Sequence, residues 1–209
     1  MKITGFKDTI DWYDKNGEEY ADSMYTVAPI DKIERFLKIL PPDPLVLDAG
    51  CGAGRDSKIF YEKGAKVIGI DISEGLLAEA RKRNPDIEFI YGDFRKLPFS
   101  EKMFDGVWSH ASLVHFETIE DVRESLAEFH RVLKNKGKIF IYVKMQTGKE
   151  KTAIVADKLS KHERFFRYYM PEEIEKLVAD AGFKILKNKI HEDSHGRTEV
   201  KWIEVIGEI

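Results

Sequence analysis

The chain has 209 residues, enough for one domain with a sizeable core, and its 43% hydrophobic and 34% charged content is that of a soluble globular protein. A formal net charge of −3 supplies no general electrostatic drive towards nucleic acid or an anionic membrane. The lone Cys51 excludes an internal disulfide and any multi-cysteine metal site, and with no signal peptide and no membrane-length apolar run the expected location is cytoplasmic.

Residues 1–28 carry Trp12, Tyr13, Tyr20, Met24 and Tyr25 at weak helical spacing. They read as an N-terminal helical segment, either packed on the domain or closed as a lid over a ligand site. Residues 29–209 then read as one domain. From Pro29 to Leu40, the apolar Ile30, Ile33, Phe36, Leu37 and Leu40 mark one helical face. Pro41, Pro42 and Pro44 end that helix and launch a first strand through Val46 and Leu47. The strand runs into Asp48-Ala49-Gly50-Cys51-Gly52-Ala53-Gly54-Arg55, after which a helical pattern holds from about Arg55 to Lys63. Alternating glycines accept positive φ and let a ligand lie against bare backbone. Cys51, inside this turn, reads as a small buried side chain.

Val67 to Asp71 forms a second apolar strand ending in an acid. Asp71 lies 21 residues after Gly50, about where a ribose-binding acid belongs in a nucleotide-binding βαβ unit. Ser73 is placed to cap the next helix, whose inward residues are Leu76, Leu77 and Ala80. Ile87 to Tyr91 alternates as a third strand, followed by Gly92-Asp93-Phe94. Phe104 to Ser109 is the fourth strand. Small residues at 109, 111 and 112 leave room for a ligand at the carboxyl end of the central strands, the crevice where open α/β sheets bind.

A long helix follows on Ile119, Val122, Leu126, Phe129 and Leu133, and Ile139 to Val143 is the fifth strand. Residues 144–168 read as a polar, irregular insertion, with aromatics and cations mixed in Glu163-Arg164-Phe165-Phe166-Arg167-Tyr168-Tyr169. Pro171 starts a helix on a poor cap, Met170, and Gly182 stops it. Two strands, Phe183 to Ile190 and about Thr198 to Ile206, end the chain around a polar turn over 191–197.

Two cofactor classes use a glycine turn of this kind. A dinucleotide site needs G-x-G-x-x-G so that a pyrophosphate can sit on a helix N-terminus. Here the glycines are 50, 52 and 54, position 55 is Arg, and Asp48 would repel a diphosphate but suits an ammonium group. A nicotinamide oxidoreductase is thus the weaker reading.

The turn Asp48-Ala49-Gly50-Cys51-Gly52-Ala53-Gly54 resembles the D-x-G-C-G-x-G motif of the class I S-adenosylmethionine (SAM)-dependent methyltransferases and matches it completely. Asp105 to His115 is similar to the W-A-x-A-S-L-L-H segment of small bacterial and archaeal members, the type 11/25-like subgroup. Tyr13 to Tyr20 is similar to the Y-D-x-x-A-x-x-Y entry of small methyltransferases, with Gly17 where that pattern prefers Ala. Arg131 to Lys138 is similar to the R-V-L-K-P-G-G turn, with Asn135 and Lys136 in place of Pro and Gly.

The resemblance implies an α/β fold. Its core is a doubly wound, mostly parallel seven-stranded sheet with an antiparallel C-terminal strand and helices on both faces. It implies SAM as cofactor, S-adenosylhomocysteine (SAH) as product, and no metal. By the family pattern, Asp48, Gly50 and Gly52 line the methionine end, with Cys51 in the same turn. Asp71, with Ile72, holds the ribose, and Asp93 and Phe94 hold the adenine. Ser109 and His110 lie beside the methionine portion, and Tyr20 closes over the site. Arg55 either pairs with the methionine carboxylate or points outward. His115 and His110 are candidate bases, because imidazole titrates at about pH 6.5. The acceptor implied is a small molecule methylated on O or N, and no membrane partner is implied. An RNA-modifying enzyme and a non-catalytic SAM-binding protein are the alternatives. The N/D-P-P-aromatic motif used on base amino groups is missing, which weighs against the first of these.

Overall fold

The computed structural model describes residues 5–25, 28–156, 163–193 and 197–209. In chain order its elements begin with α1 (Phe6–Met24), α2 (Ile30–Leu37), β1 (Leu45–Ala49), α3 (Arg55–Glu62), β2 (Lys66–Asp71), α4 (Glu74–Arg83) and β3 (Glu88–Tyr91). There follow β4 (Phe104–His110), α5 (Ile119–Val132), β5 (Leu133–Lys144), β6 (Thr152–Ala156), β7 (Glu163–Arg167), α6 (Pro171–Asp180), β8 (Lys184–Glu192) and β9 (Lys201–Glu208).

Seven strands form one sheet in the order β3-β2-β1-β4-β5-β9-β8. The first five are parallel, and β9 runs antiparallel between β5 and β8. Alternate residues of each strand face opposite sides. Val46, Trp108 and Phe140 enter one core, with Ile33 and Phe36 of α2, Ile59 and Phe60 of α3, and Leu77 and Ala80 of α4. Leu47, Val107 and Ile139 enter the other, with Val122, Leu126 and Phe129 of α5 and Ile174, Leu177 and Val178 of α6. The chain reverses direction across the sheet between β1 and β4, so a crevice opens at their carboxyl ends. The expected doubly wound sheet is therefore observed.

The 144–168 insertion corrects the expectation of an irregular loop. Thr152 to Ala156 and Glu163 to Arg167 pair as an antiparallel hairpin, with Ile154 opposite Phe165. Charged residues flank both strands and mask the alternation, yet Arg164, Phe165, Phe166 and Arg167 are all buried. Positions 157–162 of that insertion, residues 1–4, 26 and 27 of the N-terminal segment, and 194–196 of the polar turn lie outside the described residues.

Gly17 also reads differently in three dimensions. A Cβ there would stand 2.6 Å from the Gly75 carbonyl oxygen, and one on Gly75 would stand 2.3 Å from the Asp14 carbonyl oxygen. The two glycines let α1 cross α4 backbone to backbone. The approach is fixed by Asp14, whose Oδ1 accepts from Ser73 Oγ at 2.6 Å and from Gly75 N at 3.1 Å. Ser73 caps α4 as expected, its hydroxyl accepting from Leu76 N at 3.2 Å. Gly17→Ala should raise local helix propensity and still destabilise the fold, by about 1–3 kcal/mol, because overpacking outweighs propensity here. Urea unfolding checks this, and a stabilised variant would contradict the close crossing.

Candidate active site

The turn after β1 is tied down first by backbone. The amides of Gly50 and Cys51 both donate to the Ile70 carbonyl, at 2.8 and 3.1 Å. Gly50, Gly52 and Gly54 have φ of 81°, 53° and 78°. Two of them serve packing: a Cβ at Gly50 would stand 2.3 Å from Ser112 Cβ, and one at Gly54 would stand 2.8 Å from the Phe89 ring. At Gly52 the nearest atom to such a Cβ is Leu76 Cδ1, at 3.9 Å. Its bare backbone borders a cavity of about 410 Å³ at the carboxyl end of the sheet.

That cavity gathers Tyr20, Asp48, Gly50, Cys51, Gly52, Arg55, Asp71, Ile72, Asp93, Phe94, His110 and His115. Ser109 is not on its wall. It is 1% exposed and bonds through Oγ to Ser112 Oγ at 2.7 Å, and Ser112 faces the cavity in its place. Strand alternation explains the difference, since Ser109 and His110 are neighbours on β4 and point to opposite sides. Cys51 is buried and its thiol is pushed well up by burial, which fits a packing role.

Asp71 takes the Gly52 amide on Oδ2 at 2.8 Å and the Ser73 amide on Oδ1 at 2.9 Å. Burial raises its pKa, and these two bonds oppose the rise. Each oxygen keeps a lone pair for a ligand. Asp93 is gripped by Arg95, whose Nη2 lies 2.5 Å from Oδ2. Arg95 also reaches Asp121 at 2.5 Å and lies over the Phe116 ring.

Arg55 turns inward. Its Nε donates to Asp56 Oδ1 at 2.6 Å and its Nη2 lies 3.2 Å from His110 Nδ1. Asp56 accepts from Trp108 Nε1 as well, at 2.9 Å. Burial would raise the Asp56 carboxyl, but Arg55 and His110 hold it below the ordinary range. Since a guanidinium only donates, Nδ1 of His110 accepts and Nε2 carries the hydrogen. Burial pushes the pKa of His110 down to about 4, so the ring is neutral near pH 7.

His115 has the opposite tautomer. Its Nδ1 lies 2.9 Å from the Phe165 carbonyl oxygen, which can only accept, so Nδ1 carries the hydrogen. Nε2 is then the basic nitrogen. It receives the Tyr13 hydroxyl at 3.3 Å, and that hydroxyl accepts from Arg164 Nη1 at 2.6 Å. Burial raises the Tyr13 pKa against the pull of Arg164, so Tyr13 stays a neutral donor. Of this group the sequence pattern singles out His115 alone as a site residue, because Tyr13 and Arg164 are 151 positions apart.

Comparison with known proteins settles the class. The family described as "Methyltransferase domain" matches residues 47–141. A protein of Encephalitozoon cuniculi whose name gives methyltransferase and no substrate is 30% identical over 197 residues, covering 88% of this chain and 90% of that one. The chain belongs to the SAM-dependent methyltransferases. The demethylmenaquinone methyltransferase of Chlorobaculum tepidum is 35% identical over 161 residues, and this methyltransferase spans 64% of its length. The fold also matches the 1,6-didemethyltoxoflavin-N1-methyltransferase of Burkholderia thailandensis, solved with 1,6-didemethyltoxoflavin and SAH. That match has a TM-score of 0.73 at 20% identity, covering 97% of this chain and 86% of that one.

The methyltransferase has a cavity that suits its cofactor: bare backbone at Gly52 and open lone pairs on Asp71 offer a nucleoside both a close approach and hydroxyl acceptors. Among the described residues no helix is long and apolar enough to cross a membrane.

One buried acid sets a pH dependence. Burial, with Asp56 close by, pushes the Asp48 carboxyl up to about 8 from its ordinary 3.8. The folded methyltransferase then holds a proton that the unfolded chain releases, so stability falls as pH rises between those values. This share is fully present below the unfolded pKa and lost as pH rises through the folded one. Asp48→Asn keeps an acceptor for Ser57 Oγ and has no proton to lose. Its unfolding free energy should fall less than the wild type's between about pH 5 and 8. Parallel slopes in urea titrations would contradict a neutral Asp48.

Proposed function

We propose that the protein methylates an O or N atom of a small-molecule acceptor, with His115 as general base. The observation that carries this reading is the His115 ring, fixed by the Phe165 carbonyl so that its basic Nε2 lies on the Tyr13 side of the cavity. Names of similar proteins support the acceptor class. The Chlorobaculum enzyme is named for demethylmenaquinone and the Burkholderia enzyme for 1,6-didemethyltoxoflavin, both small molecules.

Bound SAM supplies a methyl group already activated on a sulfonium. The chain's task is then positioning and proton removal. Asp48, Gly50, Cys51, Gly52 and Arg55 form the wall for the methionine end, and Arg55 also orients His110. Asp71 and Ile72 hold the ribose. Asp93, oriented by Arg95, and Phe94 flank the adenine. His110 donates from Nε2, and Ser109 acts through Ser112. As the acceptor atom gains its methyl group, its proton passes to Nε2 of His115, replacing the Tyr13 contact.

The N-terminal segment 1–28 serves as the lid. Tyr13 and Tyr20 of α1 and Tyr25 just after it line the cavity, and the described residues of the segment are bonded on two sides. Asp14 holds α4, and Thr9 Oγ1 accepts from Phe165 N at 3.1 Å. Excluding water strengthens every polar contact inside.

The test is SAH release from SAM with a panel of small acids, amines and phenols, with bulk RNA in parallel. Turnover on a small molecule supports the reading. Turnover on RNA alone, or SAM binding without any turnover, would replace it.

A further inference from the structure

The strand order divides the cavity. Asp48, Asp71 and Asp93, assigned above to the cofactor, stand at or just beyond the carboxyl ends of β1, β2 and β3. On the other side of β4 lie β5 and β9, and there the lining is Tyr142 of β5 and Trp202 of β9, with Phe166 of β7. The His115 ring is 5.2 Å from the Phe166 ring, so the basic imidazole borders this half. A cofactor held over β1 to β3 leaves it to the acceptor.

Tyr142 is 5% exposed. A buried tyrosine hydroxyl ordinarily has a partner. The other buried tyrosines among the described residues do: Tyr13 accepts from Arg164 Nη1, and Tyr169 donates to the Leu113 carbonyl at 2.8 Å. Among the described residues nothing bonds to the Tyr142 hydroxyl, and it retains accessible surface. Its ring is flanked on both sides, because β5 runs between β4 and β9. His110, opposite it in the β4–β5 register, stacks at 4.9 Å and 10°, and Trp202 stacks at 5.0 Å and 7°. The hydroxyl therefore has a fixed direction before any ligand arrives. Burial, with Glu204, Asp193 and Asp31 close by, pushes its pKa up, so it keeps its hydrogen at pH 7.

We propose that Tyr142 determines acceptor specificity: its hydroxyl donates to a carbonyl or hydroxyl oxygen of a molecule whose apolar body rests on Phe166 and Trp202. The proposal rests on the small-molecule reading above and names what that molecule must carry. A phenol held rigid by stacked rings makes the bond with little further loss of freedom. A site built around such a bond rejects an analogue that lacks the oxygen, because the hydroxyl is then left unpaired. The contact requires no charge on the acceptor, and the charges near it are of both signs, since Lys144 and Arg164 line this half together with Asp193.

The experiment titrates acetophenone and ethylbenzene, which differ by a carbonyl in place of a methylene, into the preformed SAH complex. Binding is read on the Trp202 indole N–H signal by nitrogen-15 NMR. Tyr142→Phe keeps the stacked ring and removes only the hydroxyl. It should weaken acetophenone at least about fivefold and leave ethylbenzene and SAH within about twofold of wild type. Its urea midpoint should match the wild type's, because the hydroxyl makes no bond within the fold. Four results would overturn the proposal. They are no acetophenone binding in the wild-type complex, equal effects of the variant on both probes, a tenfold loss of SAH affinity, which would assign the hydroxyl to the cofactor, and a lowered urea midpoint, which would assign it to the fold. A wild type that binds SAH and turns over only RNA would instead strike the small-molecule reading beneath it.

Discussion

Gly52→Val should lower SAH affinity at least 100-fold while leaving a folded protein. Gly52 is the one glycine of the turn whose missing Cβ opens onto the cavity, with Leu76 Cδ1 the nearest atom at 3.9 Å. A branched side chain there would occupy the volume in which a nucleoside has to lie against backbone. Its φ of 53° is in the left-handed region, so the change also strains the main chain, by about 1–2 kcal/mol. Gly64 separates the two effects. It has φ of 88° and nothing within 4 Å of a built Cβ. Gly64→Val should therefore lose comparable stability and keep SAH binding. A 100-fold loss corresponds to about 2.7 kcal/mol, more than strain alone takes from binding in the control. Binding of SAH by Gly52→Val within about threefold of wild type would mean that the turn does not face the cofactor.

His115→Gln should lower kcat by about 10²–10⁴, the range for loss of a positioned general base. A glutamine amide can still donate to the Phe165 carbonyl, and it offers no basic nitrogen. SAH affinity should remain within about twofold, which places the loss in turnover rather than in cofactor binding. Unchanged turnover on a true acceptor would show that His115 only shapes the cavity and that the acceptor arrives without a proton to remove.

The parts legible in the sequence are those where short-range chemistry decides the structure. Continuous apolar runs at Val46 and Val67 announce buried parallel strands, and three glycines before a helical pattern announce the tight turn that borders the cavity. Asp71 follows from spacing along one βαβ unit and lies where that unit puts it. Less legible were features that depend on contacts far apart in the chain. The hairpin of β6 and β7 was obscured because its buried cations, Arg164 and Arg167, make the segment look solvated. Arg55 could face either way from the first turn of α3, and only Asp56 and His110 beside it decide the matter. Gly17 looked like a weakened helix until Gly75 was placed against it. Ser109, placed beside the methionine end by the family pattern, is turned inward by the pleat of β4, which brings His110 to the cavity, and Ser112, just beyond the strand, lies on the wall beside it.

The central claim, that the glycine turn and Asp71 form a SAM site, is tested most directly by calorimetric titration of SAH into the purified protein, with NADH in a parallel cell. The account predicts micromolar one-to-one binding of SAH and no heat from NADH. Absence of SAH binding, or tighter binding of NADH, would contradict it and remove the basis for every residue role assigned to the cavity.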